Sequence, residues 1–122
     1  GTEPYEVQSA IAQVRRIIEA NGGARFERLD GNQDDRPIAN QLGYRRGSGP
    51  DEQWLVMPEA WKKELTSGCN PVHVAQWLAD RGMLLRSNDG YQTVVKINGR
   101  PQRFYVLTAA LLADPQSSGD EP

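Results

Sequence analysis

Two predicted helix starts in the middle of the chain constrain its fold more than any other feature. Pro58 and Pro71 each suit the first turn of a helix, where the missing amide hydrogen removes no hydrogen bond. Gly68 is typical of the end of the first helix, and Asn70 is a residue type that caps the start of the second. Gly82 ends the second helix. The pattern predicts two short helices joined by a tight turn, as in a helix-turn-helix.

Three strand-like segments follow this helix pair. They are LLR at 84–86, QTVVKI at 92–97 and RFYVL at 103–107. The intervening residues 87–90 and 98–101 contain Asp-Gly and Asn-Gly pairs, which readily adopt the positive φ angles that tight hairpin turns require. Two helices followed by a basic hairpin have the element order of a winged helix. We therefore expect a winged-helix-like domain.

The N-terminal half predicts further elements around that unit. Residues 4–21 carry apolar side chains at the spacing of one helix face, and Asn21 with two glycines supplies the end. Residues 24–30 are typical of a short strand, and 42–46 with 53–57 predict a hairpin. We expect an α+β fold in which the first helix packs beneath the helix pair and residues 24–57 extend the sheet.

Length and charge set the domain organisation. The chain has 122 residues and a formal net charge of −2, the size of one domain. We expect a single winged-helix-like domain over residues 1–107, and a short end segment with an acidic, disordered tail over 108–122. A strongly basic composition would by itself indicate nucleic-acid binding. Here only residues 58–107 are basic, with seven Lys and Arg against four Asp and Glu.

Several classes of site are disfavoured by composition. The chain has one cysteine, Cys69, and one histidine, His73, whereas a zinc site normally takes at least three protein ligands. Paired acids lie only in predicted loops, and no nucleophile motif is present. No apolar run approaches the length of a membrane span, and the N-terminal residues lack a secretory pattern. We expect a cytoplasmic protein without catalytic residues, metal or other cofactor.

Three stretches carry a resemblance to a known family: RPIANQLGYRR at 36–46, LVMPEAWK at 55–62 and VAQWLADRGML at 74–84. They resemble the C-terminal region of a bacterial family of helicase-like ATPases, described as superfamily II helicases and inactivated derivatives, which occurs on integrative and mobile elements. The similarity covers residues 10–107. It implies an accessory module, commonly a winged helix, that follows an ATPase core. The phosphate-binding loop of such a core does not occur in this sequence, so the resemblance does not carry ATPase activity to it.

This resemblance and the local basic charge together favour a nucleic-acid-binding module, with DNA as the partner. Lys and Arg side chains supply most of the affinity for phosphates, and Gln can pair with adenine in a major groove. The residues predicted to contact DNA lie on the helix pair and on both hairpins: Lys62, Lys63, His73, Gln76, Arg86, Lys96, Arg100, Arg103, Arg45 and Arg46.

Other interpretations of the same residues stay open. Tyr44 with two following arginines could stack bases of a single strand, or could be one buried tyrosine beside exposed arginines. Trp77 is expected in the core, against the hairpin, because of its size. The alternative function is a protein-interaction or structural domain that docks on the ATPase core without touching DNA. A continuous basic surface would favour DNA, and an exposed apolar patch around Trp61 or Trp77 would favour a protein partner.

Overall fold

The computed structural model describes residues 4–21, 25–29, 41–87 and 90–112. These residues form one long helix, a mixed five-stranded sheet and a few short helices, which confirms the predicted α+β class. The elements are α1 (Tyr5–Asn21), β1 (Phe26–Arg28), β2 (Gly43–Arg46), β3 (Gln53–Val56), α2 (Pro58–Ala60), α3 (Pro71–Asp80), β4 (Thr93–Ile97) and β5 (Arg100–Thr108), with short 3-10 turns at Gly49–Asp51 and Ala109–Leu111.

The N-terminal helix α1 packs against the helix pair, as predicted. Its apolar stripe is buried and consists of Val7, Ala10, Ile11, Val14 and Ile18. The Gln13 side chain crosses to the end of the first helix of the pair, where Nε2 donates to the Leu65 carbonyl at 3.1 Å and to the Ser67 carbonyl at 3.0 Å. These bonds satisfy carbonyls that the helix itself leaves without partners.

The sheet has the strand order β1-β2-β3-β5-β4. Strands β1 and β2 are parallel, and every other neighbouring pair is antiparallel. The predicted hairpin of β2 and β3 is confirmed, with Arg46 opposite Gln53 and Gly43 opposite Val56. Residues from the first half of the chain therefore extend the sheet beyond β3, as expected.

The helix pair begins and ends close to the predicted residues. Helix α2 starts at Pro58 and continues as a π-helical turn over Trp61–Leu65. Both the backbone N and the hydroxyl of Thr66 donate to the Trp61 carbonyl, at 2.9 and 2.7 Å. Helix α3 is capped by Asn70, whose Oδ1 accepts from the backbone N of Val72 at 3.0 Å and of His73 at 3.1 Å.

The second hairpin joins β4 to β5 through a two-residue turn. Asn98 has φ 54° and Gly99 has φ 82°, the left-handed conformation that a tight hairpin of this kind requires. The prediction of an Asn-Gly hairpin turn is thus confirmed.

The prediction of a strand at residues 84–86, LLR, is wrong. Leu84 forms only an isolated bridge, and its partner is Leu107 on β5 rather than a residue of β4. Strand β4 pairs with β5 only from Arg100 to Phe104, which leaves the last residues of β5 open on that edge. Residues 83–85 occupy this position, with the Leu85 N donating to the Val106 carbonyl at 2.9 Å.

Both faces of the sheet are apolar. One face packs against the helices through Trp54, Val56, Tyr105 and Leu107. The other face carries a second buried cluster, formed by Leu55, Ile97, Phe104 and Val106. Leu29, just after β1, and Val95 and Lys96 of β4 line one cleft, so the two edge strands approach each other and the sheet is strongly curved.

Some predictions fall outside the described residues. They concern a loop predicted from composition at 31–38, the middle of the turn at 88–89 and the acidic tail over 113–122. Among the helices that the structure does describe, none combines the length and the apolar character that crossing a membrane requires.

Candidate nucleic-acid interface

Helix α3 presents a polar face to solvent. Val74, Ala75 and Leu78 point into the core, whereas His73 and Gln76 are exposed. The cap residue Asn70 already accepts from the first amides of the helix, so these donors are not available to a phosphate. Recognition by α3 would therefore rely on its side chains.

The β4-β5 hairpin is held beside the start of α3 by a tryptophan. The Trp61 ring stacks on Tyr105 with a centroid distance of 4.6 Å and an interplanar angle of 14°. Trp61 Nε1 also donates to the carbonyl of Pro71 at 3.1 Å. These two contacts connect β5 with the beginning of α3. Because Trp61 is fully buried, it leaves no exposed apolar patch of its own.

A groove of about 320 Å³ separates α3 from the hairpin. Arg103 lies two residues before Tyr105 on β5, and side chains two apart on a strand share one face of the sheet. Arg103 is exposed. We call this the α3-hairpin groove, and its lining residues are Val72, Ser87, Gly90, Tyr91, Gln92, Arg103 and Tyr105.

Arg86 lies next to this groove but its charge is already paired. Its guanidinium forms an ion pair with Asp80 at the end of α3 and lies over the Tyr91 ring, with Cζ 5.8 Å from the ring centroid. Both charged side chains are about half exposed, so the pair is solvated and contributes little to stability. The pair does reduce the positive charge that Arg86 can offer to a phosphate.

The remaining predicted hairpin contacts do not line the α3-hairpin groove. Arg100 is opposite Ile97, which belongs to the second buried cluster on the far face of the sheet. Arg100 and Arg103 are three positions apart on β5, so they point to opposite faces. Lys96 borders a cleft of about 600 Å³ together with Arg46 and two carboxylates, Asp51 and Glu52.

The arginines of the first hairpin are engaged within the sheet. Arg45 pairs with Glu52 at 3.3 Å, and Arg46 Nε donates to Gln53 Oε1 at 2.9 Å. Both arginines are half-buried. Tyr44 makes an edge contact with Phe104 at a centroid distance of 5.7 Å. These contacts tie the side chains to the fold and give them no arrangement suited to stacking bases.

Tyr44 is also the one titratable group of the described residues with a clearly shifted pKa. Burial raises the pKa of Tyr44 above its ordinary value, and the negative charge of Glu27 raises it further. A hydrogen bond with the Gln41 side chain opposes these effects. The shift therefore reflects packing of a structural tyrosine.

Lys62 and Lys63 are exposed on the π-helical turn. In the part of the chain that the structure describes, neither lysine pairs with a carboxylate, and neither lines the grooves that border α3. The structure thus brings Arg86 and Arg103 close to the α3-hairpin groove, whereas His73 lines a different groove of α3. Arg100 points to the other face of the sheet, and Arg46 and Lys96 border the 600 Å³ cleft.

A second groove, of about 300 Å³, lies on the other side of α3. Trp77 is half-buried there, 6.1 Å from the His73 ring, and faces α1 rather than the hairpin against which it was expected to pack. We call this the α1-α3 groove, and its lining residues are Tyr5, Glu6, Ser9, Gly68, Cys69, Asn70, His73 and Trp77. No group of three or more potential metal ligands occurs among the described residues.

Sequence reasoning did not identify Tyr91 as a residue of this site. It directly follows the Asp89-Gly90 turn signal and precedes a strand with basic neighbours. An aromatic residue in that position is a usable signal, but the groove it lines exists only once α3 and β5 are packed together.

Comparison with known proteins gives no independent identification. No protein-family model matches the chain, and no curated protein matches it.

Proposed function

We propose that this chain is a non-catalytic nucleic-acid-binding module of a larger helicase or replication protein from a mobile element. The contact surface consists of the exposed face of α3 and the neighbouring side of the β4-β5 hairpin. The observation that carries the proposal is the position of Arg103, an exposed cation at the edge of a groove that α3 also lines.

The order and pairing of the elements support this proposal. Strand β3 precedes the helix pair and pairs with β5, which in turn pairs with β4. A winged helix has the same arrangement, with a strand before the helix pair joining the hairpin after it. We propose that α3 corresponds to its recognition helix, which in such proteins lies against nucleic acid.

Charge limits how tightly the module can bind. Near the helix pair, three exposed residues predicted to contact phosphates have no paired carboxylate in the described part of the chain. They are Arg103, Lys62 and Lys63. Each neutralised phosphate adds to affinity through counterion release, and proteins with few such contacts bind with Kd values of roughly 10⁻⁴ to 10⁻⁶ M. We therefore expect micromolar or weaker binding.

Titration of the chain with fluorescently labelled single- and double-stranded DNA tests this function. The measurement is made at about 50 mM and about 200 mM salt. Each phosphate contact contributes a slope in log K against log salt of about −0.9 for a duplex and about −0.7 for a single strand. The proposal expects binding at low salt that weakens as salt rises. Absence of binding at low salt, or binding that does not change with salt, would reject it.

Protein docking without direct DNA contact is the second candidate function. Two of the predicted arginines, Arg45 and Arg86, are paired with carboxylates, and Tyr5 is 82% exposed at the rim of the α1-α3 groove. An exposed aromatic beside a groove is suited to a protein partner, which we propose to be the ATPase core of the same polypeptide. Calorimetry of the chain with that core, comparing the unmodified chain with Trp77→Ala, tests this role. Unchanged affinity would reject this surface.

A further inference from the structure

We infer that the α3-hairpin groove accepts one unpaired base of a single-stranded nucleic acid. The base stacks on Tyr91, and Arg103 contacts the adjoining phosphate. This inference depends on the proposed nucleic-acid-binding function and specifies the form of its ligand.

The size and lining of the groove fit one base. Its volume of about 320 Å³ lies at the lower end of the range of small-ligand sites, about 300 to 1,000 Å³. The walls combine Tyr91 and Tyr105 with Val72, which is 54% exposed. Gln92 supplies a polar side chain. A duplex is too wide to enter such a space, whereas a single unstacked base is not.

Tyr91 is held in position before any ligand arrives. The Arg86 guanidinium lies over its ring, and Tyr91 is itself half-buried against the main core cluster. Arg86 does not line the groove, so the guanidinium covers the ring without filling the space beside it. A fixed aromatic loses little conformational entropy when a base stacks on it, which favours binding.

Arg103 provides a positive charge for the phosphate of the nucleotide, which Tyr91 cannot supply. It lines the same groove and is exposed, and among the described residues no carboxylate pairs with it. A base on an aromatic ring with a cation on its backbone is the common arrangement in proteins that bind single strands.

Helix α3 is poorly suited to a duplex backbone. Between Pro71 and Asp80 it contains no Lys or Arg, and its one charged residue is the acid Asp80. Its first amides are already bonded to Asn70. Because a recognition helix in a duplex groove needs phosphate contacts around it, these features favour an unpaired base beside the helix.

The test compares two single-stranded ligands that carry the same phosphates. One is labelled oligo-dT and the other is an oligonucleotide of equal length whose sugars lack bases. Affinities are measured for the unmodified chain, Tyr91→Phe and Tyr91→Ala, with thermal unfolding followed by circular dichroism to verify folding. Stacking on one aromatic side chain is worth roughly tenfold or more in affinity.

We expect oligo-dT to bind at least about tenfold more tightly than the abasic strand. Tyr91→Phe should keep this preference because it keeps the ring, and Tyr91→Ala should lose it. Equal, salt-dependent binding of both strands by the unmodified chain would overturn the inference and leave the proposed function intact. Absence of binding to any DNA at low salt would overturn both.

Discussion

At the scale of single residues, Gly43 shows how closely two strands of the sheet approach. A Cβ atom at this position would lie 1.8 Å from the Leu55 carbonyl oxygen on β3. Backbone cannot yield as a flexible side chain can, so β2 and β3 would have to separate. Because Gly43 has no side chain, β2 can lie this close to β3.

We predict that Gly43→Ala lowers the free energy of unfolding by about 3 kcal/mol, at the upper end of ordinary overpacking costs. Urea denaturation measures the change. Gly49→Ala is the control, because Gly49 has open space around it and only a positive φ of 58°. That control should cost about 1 kcal/mol. An equal or larger loss for Gly49→Ala would contradict the steric explanation.

Tyr44 gives a second prediction at this scale, through its raised pKa. The unfolded chain loses the phenol proton near pH 10, the ordinary value, while the folded chain still holds it. In this window the unfolded state binds fewer protons, so stability falls as pH rises from about 10 towards the folded pKa.

Urea denaturation between about pH 9 and pH 11 compares the chain with Tyr44→Phe, which cannot ionise. The variant should lose less stability over this interval than the unmodified chain. Tyr5→Phe is the matched control for loss of a tyrosine hydroxyl, because Tyr5 is 82% exposed. Identical pH profiles for the chain and Tyr44→Phe would show that burial does not shift this group.

At the scale of elements, α3 depends on its cap. Asn70 satisfies two amides that the first turn cannot pair internally. We predict that Asn70→Ala lowers the free energy of unfolding by about 1 kcal/mol. Asn70→Asp keeps the acceptor oxygen and should stay close to the unmodified chain in the same denaturation measurement. A similar loss in both variants would mean that Oδ1 is not what stabilises α3.

Elements fixed by local chemistry could be predicted from sequence, and those fixed by distant pairing could not. The cap at Asn70 and the Asn98-Gly99 turn act within a few residues, so α3 and the β4-β5 hairpin follow from the sequence. The residues LLR at 84–86 have the composition of a strand, but only Leu84 forms a bridge. How much of this segment pairs depends on which part of β5 is left open by β4, and that is set by distant residues. The π-helical turn after Pro58 likewise has no signal in the helical spacing.

At the scale of the whole molecule, the packing of elements decides which charges act together. Local charge along residues 58–107 predicts a basic region, but strand register assigns Arg103 to the side of α3 and Arg100 to the opposite side. Asp80 is six residues from Arg86 and Glu52 is seven residues from Arg45, but no local pattern marks these acids as partners of the two arginines. The candidate surface is therefore smaller than the set of basic residues predicted from sequence.

We propose that α3 and one side of the β4-β5 hairpin form a single nucleic-acid-binding surface. Arg103→Ala and Arg100→Ala are the decisive pair of variants, because both remove one exposed cation from the same strand. Affinity for labelled single-stranded DNA is measured for each at about 50 mM and about 200 mM salt. We predict that Arg103→Ala weakens binding several-fold and reduces the salt slope by about one contact, while Arg100→Ala has little effect. Equal losses in the two variants, or a larger loss for Arg100→Ala, would contradict the claim.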